Sequence, residues 1–164
     1  MADDRLDDRA RPSARRRRSD RQRGANAQGL GRSRGGLSTK IHAATDALGN
    51  PVRLLLGPGQ RNDITKAHDL IEGFEPEAVI ADKGYDAGHL REAVLANQAE
   101  AVIPPKSNRR TPIDYDTALY KERNLVERFF NKLKQFRRVA TRYDKLLANY
   151  RGFVLIAAIA IMLR

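Results

Sequence analysis

The stretch Ala78–Pro105, AVIADKGYDAGHLREAVLANQAEAVIPP, decides the fold. It opens on a short apolar strand, Ala78–Ala81, that ends at Asp82. Gly84 marks a tight turn, and Asp86 is placed to cap a helix running through Asn97. Ala101–Ile103 is a second short strand, closed by Pro104-Pro105. Short apolar strands alternating with helices predict an α/β sheet with partly parallel pairing. Ligands collect at the carboxyl ends of strands in such sheets, and Asp82 lies at one.

Upstream, Leu37–Thr45 alternates apolar and polar residues and reads as a strand. Val52–Leu56 is its hairpin partner across the turn Asp46–Pro51, DALGNP, and Gly57-Pro58-Gly59 breaks the chain. Asp63 is expected to cap a helix over Ile64–Glu72. Downstream, a basic loop Lys106–Arg110 leads to a long helix, and an apolar run, Gly152–Leu163, ends the chain as a buried helix. That run is shorter than the roughly 17–25 residues a bilayer span needs, so no membrane anchor is expected. The order is hairpin, helix, strand, helix, strand, helix, helix, with no internal repeat.

Residues 1–28 differ from the rest. They hold nine Arg and five Asp, with only Met1 and Leu6 as large apolar residues. This segment is expected to be a disordered Arg-rich tail. The 164-residue chain carries 31 Lys plus Arg against 20 acids, a net charge of +11, which favours a polyanionic partner, nucleic acid first. It has no cysteine, which excludes disulfides and thiolate metal sites. His42, His68 and His89 are too scattered for a zinc site.

The long helix carries the chemistry. In Tyr120–Lys134, YKERNLVERFFNKLK, a turn of about 100° per residue stacks Tyr120, Glu127 and Lys134 on one stripe. Arg123 lies one turn before Glu127 on that stripe. Leu119, Val126, Phe130 and Leu133 form a neighbouring apolar stripe. Asp82 and Glu127, from separate elements, are candidate ligands for hard cations such as Mg²⁺. Lys83, Arg109, Arg110, Arg123, Arg128 and Lys134 are candidate phosphate contacts. Taken singly, each acid also has a plain reading, Asp82 as turn chemistry and Glu127 as a solvated i,i+4 partner.

The spacing Tyr120-x2-Arg123-x3-Glu127-x6-Lys134 matches the Y-x2-R-x3-E-x6-K signature of DDE insertion-sequence transposases. The segments LGRSRGGLSTKIHAATDALGNP, Gly59–Asp63, VIADKGYD, AVIPPKSNRR and ATRYDK also resemble that family, from about Leu30 to the C-terminus. The resemblance implies a ribonuclease-H-like mixed sheet with flanking helices. It implies Asp82 as second catalytic Asp and Glu127 as catalytic Glu, both holding a divalent metal, Mg²⁺ or Mn²⁺. Tyr120, Arg123 and Lys134 then fall where DNA contact and positioning are expected. The implied reaction is cleavage and strand transfer on insertion-sequence ends and target DNA, in a bacterial cytoplasm at the nucleoid.

One departure is serious. The family's first catalytic Asp belongs on a central strand upstream of Gly31–Gly36, and residues 1–28 contain no apolar alternating run to carry it. Residues 29–164 are thus expected to be a partial catalytic domain lacking its first central strand. The tail has the texture of a GC-rich frame translated out of register. The chain is therefore expected to be the downstream half of a frameshifted or two-frame transposase, inactive alone. Its expected partners are DNA and an upstream frame product or full-length transposase. The alternatives are a non-catalytic DNA-binding or inhibitory fragment, and a decayed remnant.

Overall fold

The computed structural model describes residues 24, 27–33 and 36–163. The antiparallel hairpin forms as expected, with β2 (Gly36–Thr45) paired to β3 (Pro51–Pro58) in the register Ile41↔Leu56 and Ala43↔Leu54. Its turn is chemically specified. The Asp46 carboxylate accepts the Leu48 and Asn50 amides at 2.9 and 2.8 Å, and Gly49 takes a left-handed φ of 84°. The strand runs through Gly57-Pro58 rather than breaking there, because Pro58 ends an edge strand, where no ladder donor is needed. A three-residue strand, β1 (Gly31–Ser33), pairs with the start of β2.

After β3 a 3₁₀ turn, Asp63–Lys66, leads into α1 (Ala67–Ile71). Then come β4 (Ala78–Ile80), a 3₁₀ turn at Lys83–Tyr85, α2 (Gly88–Ala96) and β5 (Glu100–Val102). β4 and β5 pair in parallel, as the strand–helix–strand pattern predicts. A 3₁₀ segment, Leu119–Arg123, passes directly into α3 (Asn124–Leu133). Two further helices, α4 (Arg137–Ala140) and α5 (Leu147–Met162), finish the described chain.

The hairpin is a partition with a core on one face. Ile41, Ala43, Leu54 and Leu56 point to a cluster built from Phe129, Leu133, Val139, Tyr150, Val154, Ala157 and Ala158. α1 packs against the hairpin as well. A second cluster, Ala67, Leu90, Val94, Ala99 and Ile103, joins α1 and α2 to β4–β5. The strands form two separate sheets, β1-β2-β3 and β4-β5, and among the described residues no strand joins them. β2 meets β1 only over Gly36–Ser38, so its edge from Thr39 to Thr45 faces no strand among the described residues.

Two expectations need correction. Neither Asp63 nor Asp86 caps a helix: the residues before the 3₁₀ turn and before α2 are Asn62 and Ala87, neither with a side-chain cap, and both carboxylates are drawn into tertiary ion pairs instead. The C-terminal helix begins at Leu147, and only part of it is covered: Ile156, Ile159 and Met162 are more than half exposed. Periodicity could not find a covered face because the helix is apolar all round. Most of the expected tail lies outside the described residues. Gln28, within it, is docked: its carbonyl accepts Arg142 Nη1 at 2.8 Å, and its side-chain oxygen accepts the Leu147 amide at 2.9 Å. That second bond satisfies one of the orphan donors that start α5.

Candidate nucleic-acid interface and carboxylate pair

Asp82 follows β4 and is exposed. Its Oδ1 accepts the Gly84 amide at 2.8 Å, which starts the 3₁₀ turn and fixes the carboxylate at the strand's carboxyl end. A Cβ at Gly84 would meet Asp82 Oδ1 at 2.8 Å, so a side chain there would displace the carboxylate from this position. The turn chemistry and the strand-end placement therefore coexist in one residue.

β4 also packs against the 3₁₀ segment Leu119–Arg123, which brings the signature helix beside the strand that ends at Asp82. In a 3₁₀ winding residues i and i+3 eclipse. That puts the Arg123 guanidinium over the Tyr120 ring, 5.5 Å from its centroid. Arg123 Nη2 then reaches Glu127 Oε1 at 2.6 Å. The Glu127 side chain is 50% exposed, so this pair contributes little stability and leaves the carboxylate open to solvent. Its helix is held by Phe129 and Leu133 on the opposite side, both fully buried. Lys134 is exposed and borders a groove of about 390 Å³ shared with Leu37, Thr39, Phe130 and Arg142.

The expected cations divide into two kinds. Lys83, Arg110, Arg128 and Lys134 are exposed. Arg123 is paired to Glu127, and Arg109 is turned inward to the Asp86 carboxylate at 2.8 Å.

Sequence reasoning missed two polar clusters. Asp86 is buried, and its carboxylate accepts Arg91 Nε at 2.9 Å, Arg109 Nη1 at 2.8 Å and the Lys106 amide at 2.8 Å. Burial pushes its pKa up, but these hydrogen bonds outweigh burial and hold it below the usual carboxylate range. In the second cluster, buried His42 lies with Nδ1 3.6 Å from Asp63 Oδ1, and Lys40 pairs with the same oxygen at 3.0 Å. Burial lowers the His42 pKa, and the Asp63 charge offsets this only in part. Burial also pushes the Tyr85 phenol far up, with Asp63 and Asp82 adding to the effect, so both carboxylates act on one hydroxyl. Acids placed before a Gly turn or a helix, with basic residues some twenty positions away, were the available signal.

The rings of His68 and His89 stack with centroids 5.1 Å apart. Among the described residues no three His, Asp or Glu side chains converge to hold a metal ion. Asp82 and Glu127 have the oxygen chemistry for a hard divalent cation, but the described residues do not complete a site for one. No helix is long and apolar enough to cross a membrane among the described residues.

The family model for the transposase DDE domain matches residues 9–163. The chain belongs to this family of transposases, which act in DNA transposition and generally use a divalent metal. It is similar to a putative transposase for insertion sequence element IS6501 of Brucella ovis, 43% identical over 130 residues, covering 78% of this chain and 100% of the relative. It is 31% identical over 128 residues to a putative transposase for element IS402 of Burkholderia cepacia, covering 71% of this chain and 58% of the relative. A transposase for element IS1106 of Neisseria meningitidis serogroup B is 30% identical over 118 residues, covering 68% of this chain and 41% of the relative. The chain thus spans the whole of the first relative and about half the length of the other two. No solved structure matches. The family match begins at residue 9, inside the segment read from sequence as a tail.

Proposed function

We propose that this chain serves metal-dependent DNA cleavage and strand transfer at insertion-sequence ends, contributing Asp82 and Glu127 as its catalytic carboxylates. The supporting observation is the packing of β4, which leads to Asp82, against the segment that opens the Tyr120–Lys134 signature helix. Glu127 stands on that helix as a half-exposed carboxylate, with Tyr120 and Arg123 stacked beside it. Mg²⁺ or Mn²⁺ is the cation these oxygen donors suit. In this reading the third carboxylate is supplied by an upstream frame product or a longer transposase. The β2 edge from Thr39 to Thr45, which faces no strand among the described residues, is where a strand carrying it can be added.

In this reading the chain alone binds DNA and does not cut it. The test uses purified chain, element-end DNA and Mg²⁺ or Mn²⁺. Binding without nicking is expected, and nicking is expected once the upstream coding sequence is restored in frame. Nicking by the chain alone that disappears in Glu127→Gln would overturn the two-carboxylate reading. A restored protein that stays active as Glu127→Gln would remove Glu127 from catalysis.

A second reading is a non-catalytic DNA-binding fragment that inhibits full-length transposase, and it agrees with the absence of a converging three-ligand set among the described residues. It predicts salt-sensitive DNA binding and reduced transposition when the chain is co-expressed with the complete protein.

A further inference from the structure

The buried Asp86 node joins four parts of the chain. Asp86 itself follows the 3₁₀ turn that starts at Asp82. Arg91 lies on α2, and its guanidinium also donates to the carbonyl of Ile103, just past β5. Lys106 binds Asp86 twice: its amide donates to Oδ2 at 2.8 Å, and its Nζ donates to the Asp86 carbonyl at 2.9 Å. Arg109 closes the loop, with its amide on the Lys106 carbonyl at 3.0 Å and its Nη1 on Asp86 Oδ1 at 2.8 Å. Both ends of the four-residue turn Lys106–Arg109 are thus tied to one carboxylate whose side chain is 1% exposed.

The charges do not balance within the node. The one carboxylate pairs with Arg91 and Arg109, and the Lys106 ammonium sits on the Asp86 carbonyl, which leaves an excess of positive charge at the loop. Ser107, Asn108 and Arg110 remain exposed around the tether, and among the described residues Arg110 has no ion-pair partner. A fixed loop with surplus positive charge suits a phosphodiester backbone, which rewards donors that need no reordering on binding.

We propose that Asp86 is a positioning residue that sets Lys106–Arg110 as a rigid DNA-backbone contact, with Arg109 as its internal tether and Arg110 as its outward phosphate contact. This assignment rests on the DNA-binding reading above. It divides two adjacent arginines by role, which the sequence NRR does not.

The test compares Arg109→Ala, Arg109→Lys, Arg110→Ala and Asp86→Asn in the full chain. Two quantities are read: the salt dependence of binding to a double-stranded oligonucleotide, and hydrogen exchange at the Lys106 amide. Arg110→Ala is expected to reduce the salt slope by about one and leave Lys106 protection unchanged. Arg109→Ala is expected to keep the slope, weaken binding several-fold and speed Lys106 exchange about tenfold or more. Arg109→Lys keeps the charge but loses the planar fork, so it should behave like Arg109→Ala. It also serves as the reference if Asp86→Asn fails to fold. A slope reduced by one in Arg109→Ala, or unchanged Lys106 exchange in both Arg109 variants, overturns the assignment. Absence of salt-dependent binding in the wild type would instead overturn the DNA-binding reading, while the exchange data would still report on the tether.

Discussion

Leu133→Ala and Glu127→Gln, six residues apart along the signature helix, should differ about tenfold in their cost to stability. Leu133 is 1% exposed and packs in the cluster with Phe129, Val139, Tyr150 and Val154. Truncating a buried Leu to Ala costs about 2–5 kcal/mol, because the lost transfer energy is joined by the cavity left behind. With a urea m-value of about 2 kcal/mol/M, the unfolding midpoint should drop by roughly 1–2.5 M. Glu127 is half exposed, and among the described residues its one ion pair is to Arg123, one turn before it. Such pairs contribute about 0.3–0.5 kcal/mol, so Glu127→Gln should move the midpoint by less than about 0.3 M. The assay is urea unfolding followed by far-UV circular dichroism, with wild type and both variants in the same buffer. Equal midpoint losses in the two variants would refute the reasoning, since Glu127 would then be a structural residue rather than an available carboxylate. A Leu133→Ala loss under about 0.5 M would show that the core beneath α3 does not anchor the helix.

Three further outcomes are expected. If Lys83, Arg110, Arg128 and Lys134 each neutralise one phosphate, the slope of log K against log salt should be about −3.6, and affinity should fall roughly 10²-fold between about 50 and 200 mM salt; a slope near zero would refute those contacts. Gly31→Ala should destabilise by about 1–3 kcal/mol in a thermal melt, because its Cβ would collide with the Gln60 side chain and sit 2.9 Å from the Gly59 amide nitrogen, so an unchanged melting temperature would count against the β1 packing. Stability should fall on acidification in two stages. The His42 pKa is depressed by burial below its ordinary 6.5, so the unfolded chain takes up the proton first as pH drops through that value. The Asp86 pKa lies below its ordinary 3.8, so its stabilisation is complete above that value and is lost as pH falls through the lower folded one. A urea midpoint that rises between about pH 7 and pH 5 would contradict the His42 part.

The hairpin was readable because its determinants are local. Alternation, the Asp46 side-chain bonds and Gly49 all lie within the hairpin. The parallel β4–β5 pair was readable from the length and texture of its crossover. The fates of Asp63 and Asp86 were not readable, because their partners lie elsewhere in the chain: Lys40 for Asp63, and Lys106 and Arg109 for Asp86. Local rules propose a cap for any acid before a helix, and a distant cation outbids it. The start of α5 was missed for the same reason, since the group bonding its first amide is Gln28. In Tyr120–Lys134 the stripe was readable, but the 3₁₀ winding that stacks Tyr120 on Arg123 was not.

The hairpin also implies an order of assembly. Its strands are joined by a turn of a few residues and can pair before any distant contact exists. β4 and β5 must wait for the whole crossover Ala81–Ala99 to close, and the Asp86 node must wait further for the loop beyond β5. The segment bearing Asp82 should therefore gain protection after the hairpin. Pulsed hydrogen exchange during refolding should show the His42 and Leu55 amides, a hydrogen-bonded pair in this register, protected before that of Lys106, and the reverse order would rule this sequence of events out.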